Sequence, residues 1–252
     1  MISFSLENKI ALVTGASRGI GESIAVTLSD YGATCILVAR KIESLEAVKK
    51  KITDKGGKAE AIACNMGYMD QIQALFEKVR SDYGKLDILV NNAATNPYFG
   101  GLMEAPEWAM DKTYEVNLKG PFFMSQYAAA LMSENGGGSI VNVASINGIR
   151  PAPFQGIYSI TKAAVISMTK AFAKELAASN IRVNALLPGL TETRFSAAII
   201  ENKDIYNYAR GQIPMNRHAV PDEMAGAVLY LVSDAASFTT GATIVCDGGA
   251  LA

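Results

Sequence analysis

Tyr158 and Lys162 stand four residues apart in Tyr158-Ser-Ile-Thr-Lys162, and Ser145 lies a short way upstream. On a helix, positions i and i+4 share a face, so a phenol and an ammonium placed this way can point at one reacting atom. A free phenol titrates near pH ~10 and is a poor proton carrier at neutrality. A fixed cation beside it favours the phenolate and draws that value toward the working range. Ser145 could then hold a substrate oxygen while Tyr158 gives or takes its proton. The pair alone also fits a solvated lysine beside a core-packing tyrosine, so the rest of the chain must decide.

The N-terminal end supplies a second piece of chemistry. Lys9-Ile-Ala-Leu-Val-Thr14 reads as a short buried strand that runs into Gly15-Ala-Ser-Arg-Gly19-Ile-Gly21 and then an apolar-periodic helix through Ile24 and Leu28. A strand, a glycine turn and a helix start make a dinucleotide-binding arrangement. The glycines let backbone approach a pyrophosphate, and the helix N-terminus supplies free N–H groups and partial positive charge. The spacing is Gly-x-x-x-Gly-x-Gly, not the commoner Gly-x-Gly-x-x-Gly. A glycine-rich turn without a ligand is the plain alternative.

These groups need a scaffold, and the apolar patterning describes one. Strand-like runs fall at Ile10–Thr14, Thr34–Ala39, Ala59–Ala63, Ile88–Asn91, Gly138–Ala144, Arg182–Leu187 and Thr243–Val245. Helical patterns fall at Ile20–Tyr31, Ser44–Lys55, Met69–Tyr83, Glu107–Ser133, Ile157–Ser179 and Asp222–Val232. Strands alternating with helices predict an α/β fold: a single-domain, Rossmann-type, doubly wound parallel seven-stranded sheet with helices on both faces. The 252 residues fit one such domain over 1–252, with no linker to divide it. After Pro188-Gly189 the pattern changes, and a segment at about 190–220 carries bulky Phe195, Ile199, Ile200, Tyr206 and Tyr208. It follows the sixth strand, at the carboxyl edge where such sheets bind ligands. It reads as a substrate lid or as an ordinary packed helix pair.

Taken together, Thr14-Gly-Ala-Ser-Arg-Gly-Ile-Gly21, Asn91-Asn-Ala-Ala94, Asn117, Ser145, Tyr158-x-x-x-Lys162 and Pro188-Gly189 resemble the short-chain dehydrogenase/reductase family. The resemblance runs from about Leu6 to Gly249, with each motif in the expected order. Two loops, Asn-Ala-Ala-Thr-Asn-Pro-Tyr-Phe-Gly100 and Pro-Gly-Leu-Thr-Glu-Thr-Arg-Phe195, are most similar to the NADP-dependent carbonyl and retinal reductases of the dehydrogenase/reductase member 4 group. The bacterial 3-oxoacyl-carrier-protein reductases share the core motifs but match these loops less well.

The resemblance implies four catalytic roles. Tyr158 is the general acid for carbonyl reduction and the base for alcohol oxidation. Lys162 lowers its pKa and holds the nicotinamide ribose, Ser145 binds the substrate carbonyl and its developing alkoxide, and Asn117 holds a water that relays protons to Lys162. It further implies cofactor contacts from Gly15, Ser17, Arg18, Gly19, Ile20 and Gly21 at the phosphates. Asn65 and Met66 would lie at the adenine, and Asn92, Ala93 and Ala94 along the adenosine ribose. Pro188, Gly189, Leu190, Thr191 and Thr193 would face the nicotinamide amide and the phosphates. Where the family usually carries Asp after the third strand, this chain has Asn65, whose carbonyl would have to serve the adenine amino group. The 92–94 loop suits a purely structural role equally well.

The choice of nicotinamide cofactor turns on the 2′ position of the adenosine ribose. An acid at the end of the second strand binds a free 2′-hydroxyl and repels a 2′-phosphate. Here Ala39 stands where that acid would sit, Arg40 follows it, and Arg18 adds a second cation. Guanidinium groups grip two phosphate oxygens at once, so NADP(H) is expected. Either arginine alone would also fit a solvated surface charge.

The substrate-facing candidates Ile146, Asn147, Phe154, Tyr98 and Phe195, with Ser145 and Tyr158, are mostly apolar or aromatic, which favours a hydrophobic ketone, aldehyde or dione over a sugar. A 3-oxoacyl-carrier-protein or acyl-CoA reductase is the alternative, although Leu131-Met-Ser-Glu-Asn-Gly-Gly137 offers an acidic carrier no base. A non-catalytic NADP(H)-sensing protein is an alternative of another class, disfavoured by the intact Ser/Tyr/Lys set. A homotetramer is expected from the family, and the small-residue face Ala163, Ala164, Ala171 and Ala178 fits it or fits packing within one chain.

Composition narrows the partners. The net charge is −1, 19% of residues are charged, and Lys49-Lys50-Lys51 reads as a solvated helix face, so no nucleic acid is expected. No apolar run approaches the roughly 20 residues of a membrane span. Ala250-Leu251-Ala252 is no peroxisomal address, and no cleavable signal is seen, so a cytoplasmic protein is expected. Cys35, Cys64 and Cys246 read as reduced core residues without metal-ligand spacing, and no metal is expected. His218, the only histidine, reads as a surface residue in the loop before Pro221.

Overall fold

Alternation along the strands decides which layer each residue joins. In a computed structural model of the chain that describes residues 2–252, β1 (Ile10–Thr14) sends Ala11 and Val13 to one face and Leu12 to the other, and none of the three is exposed. Strands apolar on both faces must be covered on both faces. On the first face Val13 and Leu37 pack with Ile24 and Leu28 of α1 (Gly19–Asp30), Leu45 and Val48 of α2 (Ile42–Thr53) and Val228 of α9 (Asp222–Val232). On the second, Leu12, Ile36 and Leu89 pack with Leu75 and Phe76 of α3 (Met69–Tyr83), Met124 and Met132 of α5 (Gly120–Glu134) and Ala173 of α6 (Gly156–Leu176).

The remaining strands are β2 (Thr34–Ala39), β3 (Lys58–Ala63), β4 (Ile88–Asn91), β5 (Gly138–Val143), β6 (Ile181–Pro188) and β7 (Thr243–Cys246). They form a seven-stranded sheet in the order β3-β2-β1-β4-β5-β6-β7, parallel throughout. This is the doubly wound Rossmann-type sheet that the sequence predicts. The strand order reverses between β1 and β4, and the crevice at the carboxyl ends there is where open α/β sheets bind ligands.

The structure departs from expectation along the predicted helix 107–133. Helix α4 (Glu107–Tyr114) passes into a π-turn over Glu115–Lys119 before α5 begins. Pro121 is the physical reason: it has no N–H to offer the carbonyl of Asn117 four residues earlier, and its ring crowds that carbonyl. Gly120 then lies so close to the chain that a Cβ there would stand 2.4 Å from the Met66 carbonyl oxygen. The segment after β6 forms two short helices, α7 (Ala197–Ile200) and α8 (Lys203–Gly211).

Candidate active site

Ser145, Tyr158 and Lys162 are brought together at the carboxyl end of β5. Ser145 follows that strand, and its Oγ accepts a hydrogen bond from the Asn147 amide at 3.1 Å, capping the 3₁₀ turn Ile146–Gly148. That turn packs tightly on α6, where a Cβ on Gly148 would stand 2.8 Å from the Lys162 carbonyl carbon. The close approach fixes Ser145 against the face carrying Tyr158 and Lys162. Tyr158 is 8% exposed and Lys162 3%. The Lys162 Nζ donates to the Val143 carbonyl at 2.7 Å and lies 5.6 Å from the Tyr158 ring centroid.

The electrostatics differ from the sequence expectation of a phenol pulled toward neutrality. Burial pushes Tyr158 up to about 12, with Ser145 partly offsetting it. Burial also pushes Lys162 down to about 7, because an ammonium taken out of water loses its hydration. Lys162 donates to a main-chain acceptor, and desolvation is the largest influence on both groups. The result is a phenol kept in its acid form.

Asn117, in the π-turn, holds the neighbouring loop. Its Oδ1 accepts from the Thr95 amide at 2.8 Å, and its Nδ2 donates to the Thr95 carbonyl at 2.9 Å and to Thr161 Oγ1 at 3.2 Å. Its carboxamide is therefore engaged with protein groups. The group that Pro121 leaves without an α-helical donor is its main-chain carbonyl.

The glycine turn meets two other segments. A Cβ on Gly21 would lie 2.3 Å from the Gly15 carbonyl oxygen and 2.4 Å from Asn92 Nδ2. Gly15 and Gly19 adopt φ of +67° and +58°, and a Cβ on Gly19 would lie 3.1 Å from Thr193 Cγ2. Thr193, in the loop after β6, thus reaches the glycine turn, and its Oγ1 accepts from the Ser196 amide at 3.3 Å. Asn92 donates to the carbonyls of Thr14 and Gly15 at 2.9 and 3.3 Å, and the amides of Asn92 and Ala93 donate to Thr14 Oγ1. The Asn92 amide group is a clamp between β1 and β4, and Ala94 beyond it is exposed.

Ser17 and Ile20 are half-buried beside the turn, while Arg18 and Arg40 are both exposed. No carboxylate pairs with either arginine among the described residues. Asn65 Oδ1, expected at the adenine, accepts from the Gly67 amide at 3.1 Å and closes its own turn, and the Met66 side chain is core. Pro188 ends β6, Gly189 donates to Cys246 O at 2.9 Å, and Thr191 Oγ1 donates to Gly189 O at 3.1 Å. Leu190 accepts from the Ala219 amide at 2.9 Å, tying this loop to the far end of the lid segment.

Around the reacting trio, the Phe195 and Tyr158 rings stand 5.2 Å apart, and Phe154 lies 5.9 Å from Phe99. Tyr98 donates its hydroxyl to the Gly101 carbonyl, and Ile146 is half-buried. His218 stands in the loop before Pro221, partly exposed, its Nδ1 bonded to Tyr206 of α8 at 2.9 Å and its Nε2 lying 3.5 Å from Glu192. Sequence reasoning also passed over Gln155, which is 9% exposed and bonded to Asn147. Its place three residues before Tyr158, on one helix face, was the available signal. Among the described residues no helix is long and apolar enough to cross a membrane and no His/Cys/Asp/Glu cluster suits a metal. Cys35, Cys64 and Cys246 are free, with burial raising all three thiols.

Comparison with known proteins finds relatives over nearly the whole chain. Residues 15–250 match a family model described as enoyl-(acyl carrier protein) reductase. The chain is 37% identical to dehydrogenase/reductase SDR family member 4 of Bos taurus over 246 residues, covering 98% of this chain and 88% of that protein. It is 40% identical to a 3-oxoacyl-[acyl-carrier-protein] reductase of Thermotoga maritima over 245 residues, covering 97% and 98%. A gluconate 5-dehydrogenase from Burkholderia cenocepacia, solved with NADP and tartrate, superposes with a TM-score of 0.94 at 30% identity, covering 98% and 97%.

Proposed function

The chain belongs to the short-chain dehydrogenase/reductase family, oxidoreductases that work with a nicotinamide cofactor, and from that premise we propose an NADP(H)-dependent enzyme that interconverts a hydrophobic ketone or aldehyde with its alcohol. The observation that carries this reading is the corner in which Tyr158 is flanked by Ser145 and by Lys162, with Lys162 Nζ 5.6 Å from the tyrosine ring centroid. The cofactor fits the residues present. A Cβ would fill the cradle at Gly21 and crowd it at Gly19, and two unpaired guanidinium groups flank the ends of β1 and β2.

When bound, the reduced nicotinamide supplies the hydride. Gly15, Ser17, Gly19, Ile20 and Gly21 receive the diphosphate at the start of α1, Arg18 and Arg40 take the 2′-phosphate, and Pro188–Thr191 with Thr193 line the amide end. Asn92 positions that turn, with Ala93, Ala94, Asn65 and Met66 offering main chain along the adenosine. Ser145 directs its hydroxyl at the substrate carbonyl oxygen. Tyr158, kept protonated by burial, passes its proton to that oxygen as negative charge builds there, which suits the reductive direction. Lys162 re-supplies the phenol, and a water on the Asn117 carbonyl links Lys162 to solvent. The segment about 190–220 closes as a lid, with Phe195 excluding water from Tyr158.

A relative named as a 3-oxoacyl-carrier-protein reductase, at 40% identity, keeps 3-oxoacyl thioesters as the second reading. Ala163 and Ala171 on α6 and Ala178 just beyond it are exposed, Ala164 is half-buried, and Phe122 of α5 is exposed. This outward small-residue face supports helix pairing with another copy in a homotetramer. We propose a cytoplasmic location. The test is NADPH oxidation with diketones, aromatic ketones, retinal and acetoacetyl-CoA. Tyr158→Phe should lose more than about 99% of turnover while keeping NADPH affinity, since a general acid of this kind and its coupled steps contribute about 10²–10⁴-fold. Residual turnover above a few per cent would overturn the mechanism, and tight NADPH binding with no turnover on any substrate would favour the sensor.

A further inference from the structure

We propose that His218 is a positioning residue for the reaction: it latches the lid over residues 197–212 through a hydrogen bond to Tyr206, and release of that bond gates the exchange of substrate and product at Tyr158. The inference rests on the reductase reading above and adds to it the contact that holds the lid.

No residue from 197 to 212 is buried, although this stretch carries both α7 and α8, and none of its apolar side chains packs into the core. Its two ends are fixed. At the front, Ser196 is buried and its Oγ donates to the Thr191 carbonyl at 2.5 Å. The Phe195 ring just before it stands 5.2 Å from that of Tyr158. At the back, Ile213 is buried and the Met215 amide donates to the Gly248 carbonyl at 3.1 Å. The two ends are tied below by a β-bridge between Thr191 and Ala219, in which the Glu192 amide donates to the Ala219 carbonyl at 2.8 Å. The lid is therefore an arch on a tied stem, rooted beside the reacting tyrosine.

Among the described residues, one side-chain hydrogen bond leaves this arch: Tyr206 of α8 meets His218 Nδ1 at 2.9 Å, with the two rings edge to face at 5.5 Å. The bonds from the Asp204 and Ile205 amides to Asn202 Oδ1 stay within the arch and cap α8. Arg210 lies over the Tyr206 ring at 5.8 Å, also within it, and no ion pair ties the arch to the body. His218 belongs to the stem, next to Ala219, and its Nε2 lies 3.5 Å from Glu192 across the bridge. That carboxylate favours the tautomer with its proton on Nε2, which leaves Nδ1 to accept the Tyr206 hydroxyl. Arg217 steadies the acceptor from behind: it donates to the His218 carbonyl at 3.1 Å while paired with Glu223. A segment without buried apolar side chains opens readily, so one well-held bond has a large say in how often it does. The net worth of such a bond corresponds to about 2- to 10-fold in the open fraction.

The experiment follows hydrogen–deuterium exchange of peptides covering 197–212, with NADPH bound, in wild type, Tyr206→Phe, His218→Phe and the double variant. Exchange there should be about 2- to 10-fold faster in either single variant, no faster again in the double, and unchanged elsewhere. His218→Asn, whose carbonyl oxygen takes the place of Nδ1, should restore much of the protection. With 1-phenyl-1,2-propanedione as substrate, KM should rise by the same factor while NADPH affinity holds and kcat does not fall, because a looser lid weakens substrate binding and speeds product release. Unchanged exchange over 197–212, or a double variant showing both single effects combined, would overturn the latch. Faster exchange with KM and kcat both at wild-type values would overturn the gating. Wild-type silence on the dione, with the exchange pattern as expected, would count against the reductase reading and leave the latch standing. If His218→Phe melts early, Tyr206→Phe, which deletes one hydroxyl, is judged by the same two readouts.

Discussion

Lys162→Met should make the protein more stable and inactive at once. The wild-type ammonium is buried, and its pKa falls from 10.5 to about 7. A depressed lysine pKa means that the unfolded chain binds the proton more tightly than the folded one. The resulting destabilisation is complete below pH 7, fades as pH rises from 7 to 10.5, and is absent above. At about 1.4 kcal/mol per tenfold, the full cost is about 5 kcal/mol. Methionine keeps the length and removes the charge, but leaves the Val143 carbonyl without the donor it has at 2.7 Å, a loss of about 1–3 kcal/mol. The variant should therefore be ahead by about 2 kcal/mol or more at pH 6, which for a chain of this size raises Tm by roughly 4–8 °C. Near pH 10.5 only the lost hydrogen bond remains, and the order reverses. Thermal melts without nucleotide, at matched protein concentration from pH 6 to 10.5, decide the matter. A variant that melts below wild type at pH 6, or a gap that does not narrow with pH, would refute the claim that burial of this ammonium is a cost tolerated for catalysis.

Two further outcomes follow from the cofactor cradle. Arg18→Ala with Arg40→Ala should raise the NADPH KM by about 100-fold or more, given about 1.5–3 kcal/mol for each charge-assisted contact, while changing the NADH KM several-fold at most; equal changes for both cofactors would refute the 2′-phosphate assignment. Gly21→Ala places a methyl 2.3 Å from a backbone oxygen and should cost about 1–3 kcal/mol of stability and most NADPH affinity by fluorescence titration. Gly226→Ala in α9, where an added Cβ meets nothing within 4 Å, is the control and should stabilise by about 0.5–1 kcal/mol.

What the sequence disclosed and what it hid divide along physical lines. The strands β1, β2 and β4 were legible to the residue because Ile10–Thr14, Thr34–Ala39 and Ile88–Asn91 are apolar runs closed by polar or glycine residues. Spacing also sufficed for Tyr158 and Lys162, whose shared face depends on helical periodicity alone. The π-turn at Glu115–Lys119 escaped because apolar periodicity continues through it, although Pro121 was a warning at a known position. The bond of His218 to Tyr206 escaped because it is made across space, a contact that loop composition does not encode. The state of the phenol was misjudged for a related reason: charge proximity can be read from i and i+4, whereas desolvation is a property of the whole surround.

That surround points to main-chain carbonyls as the hidden half of the site. Val143 presents its oxygen to Lys162 because β5 ends there and the chain turns away at Ser145. Asn117 is left without an α-helical donor because Pro121 has no N–H, and its carboxamide is engaged by Thr95 and Thr161. Neither acceptor depends on the side chain at its own position. Substituting Asn117 should therefore harm the enzyme chiefly by releasing the Thr95 loop, and replacing Pro121 by Ala, which gives the Asn117 carbonyl a helical partner, is the more direct test of the proton path. If Pro121→Ala kept its fold and its NADPH affinity yet lost no turnover, the carbonyl would have no part in the relay.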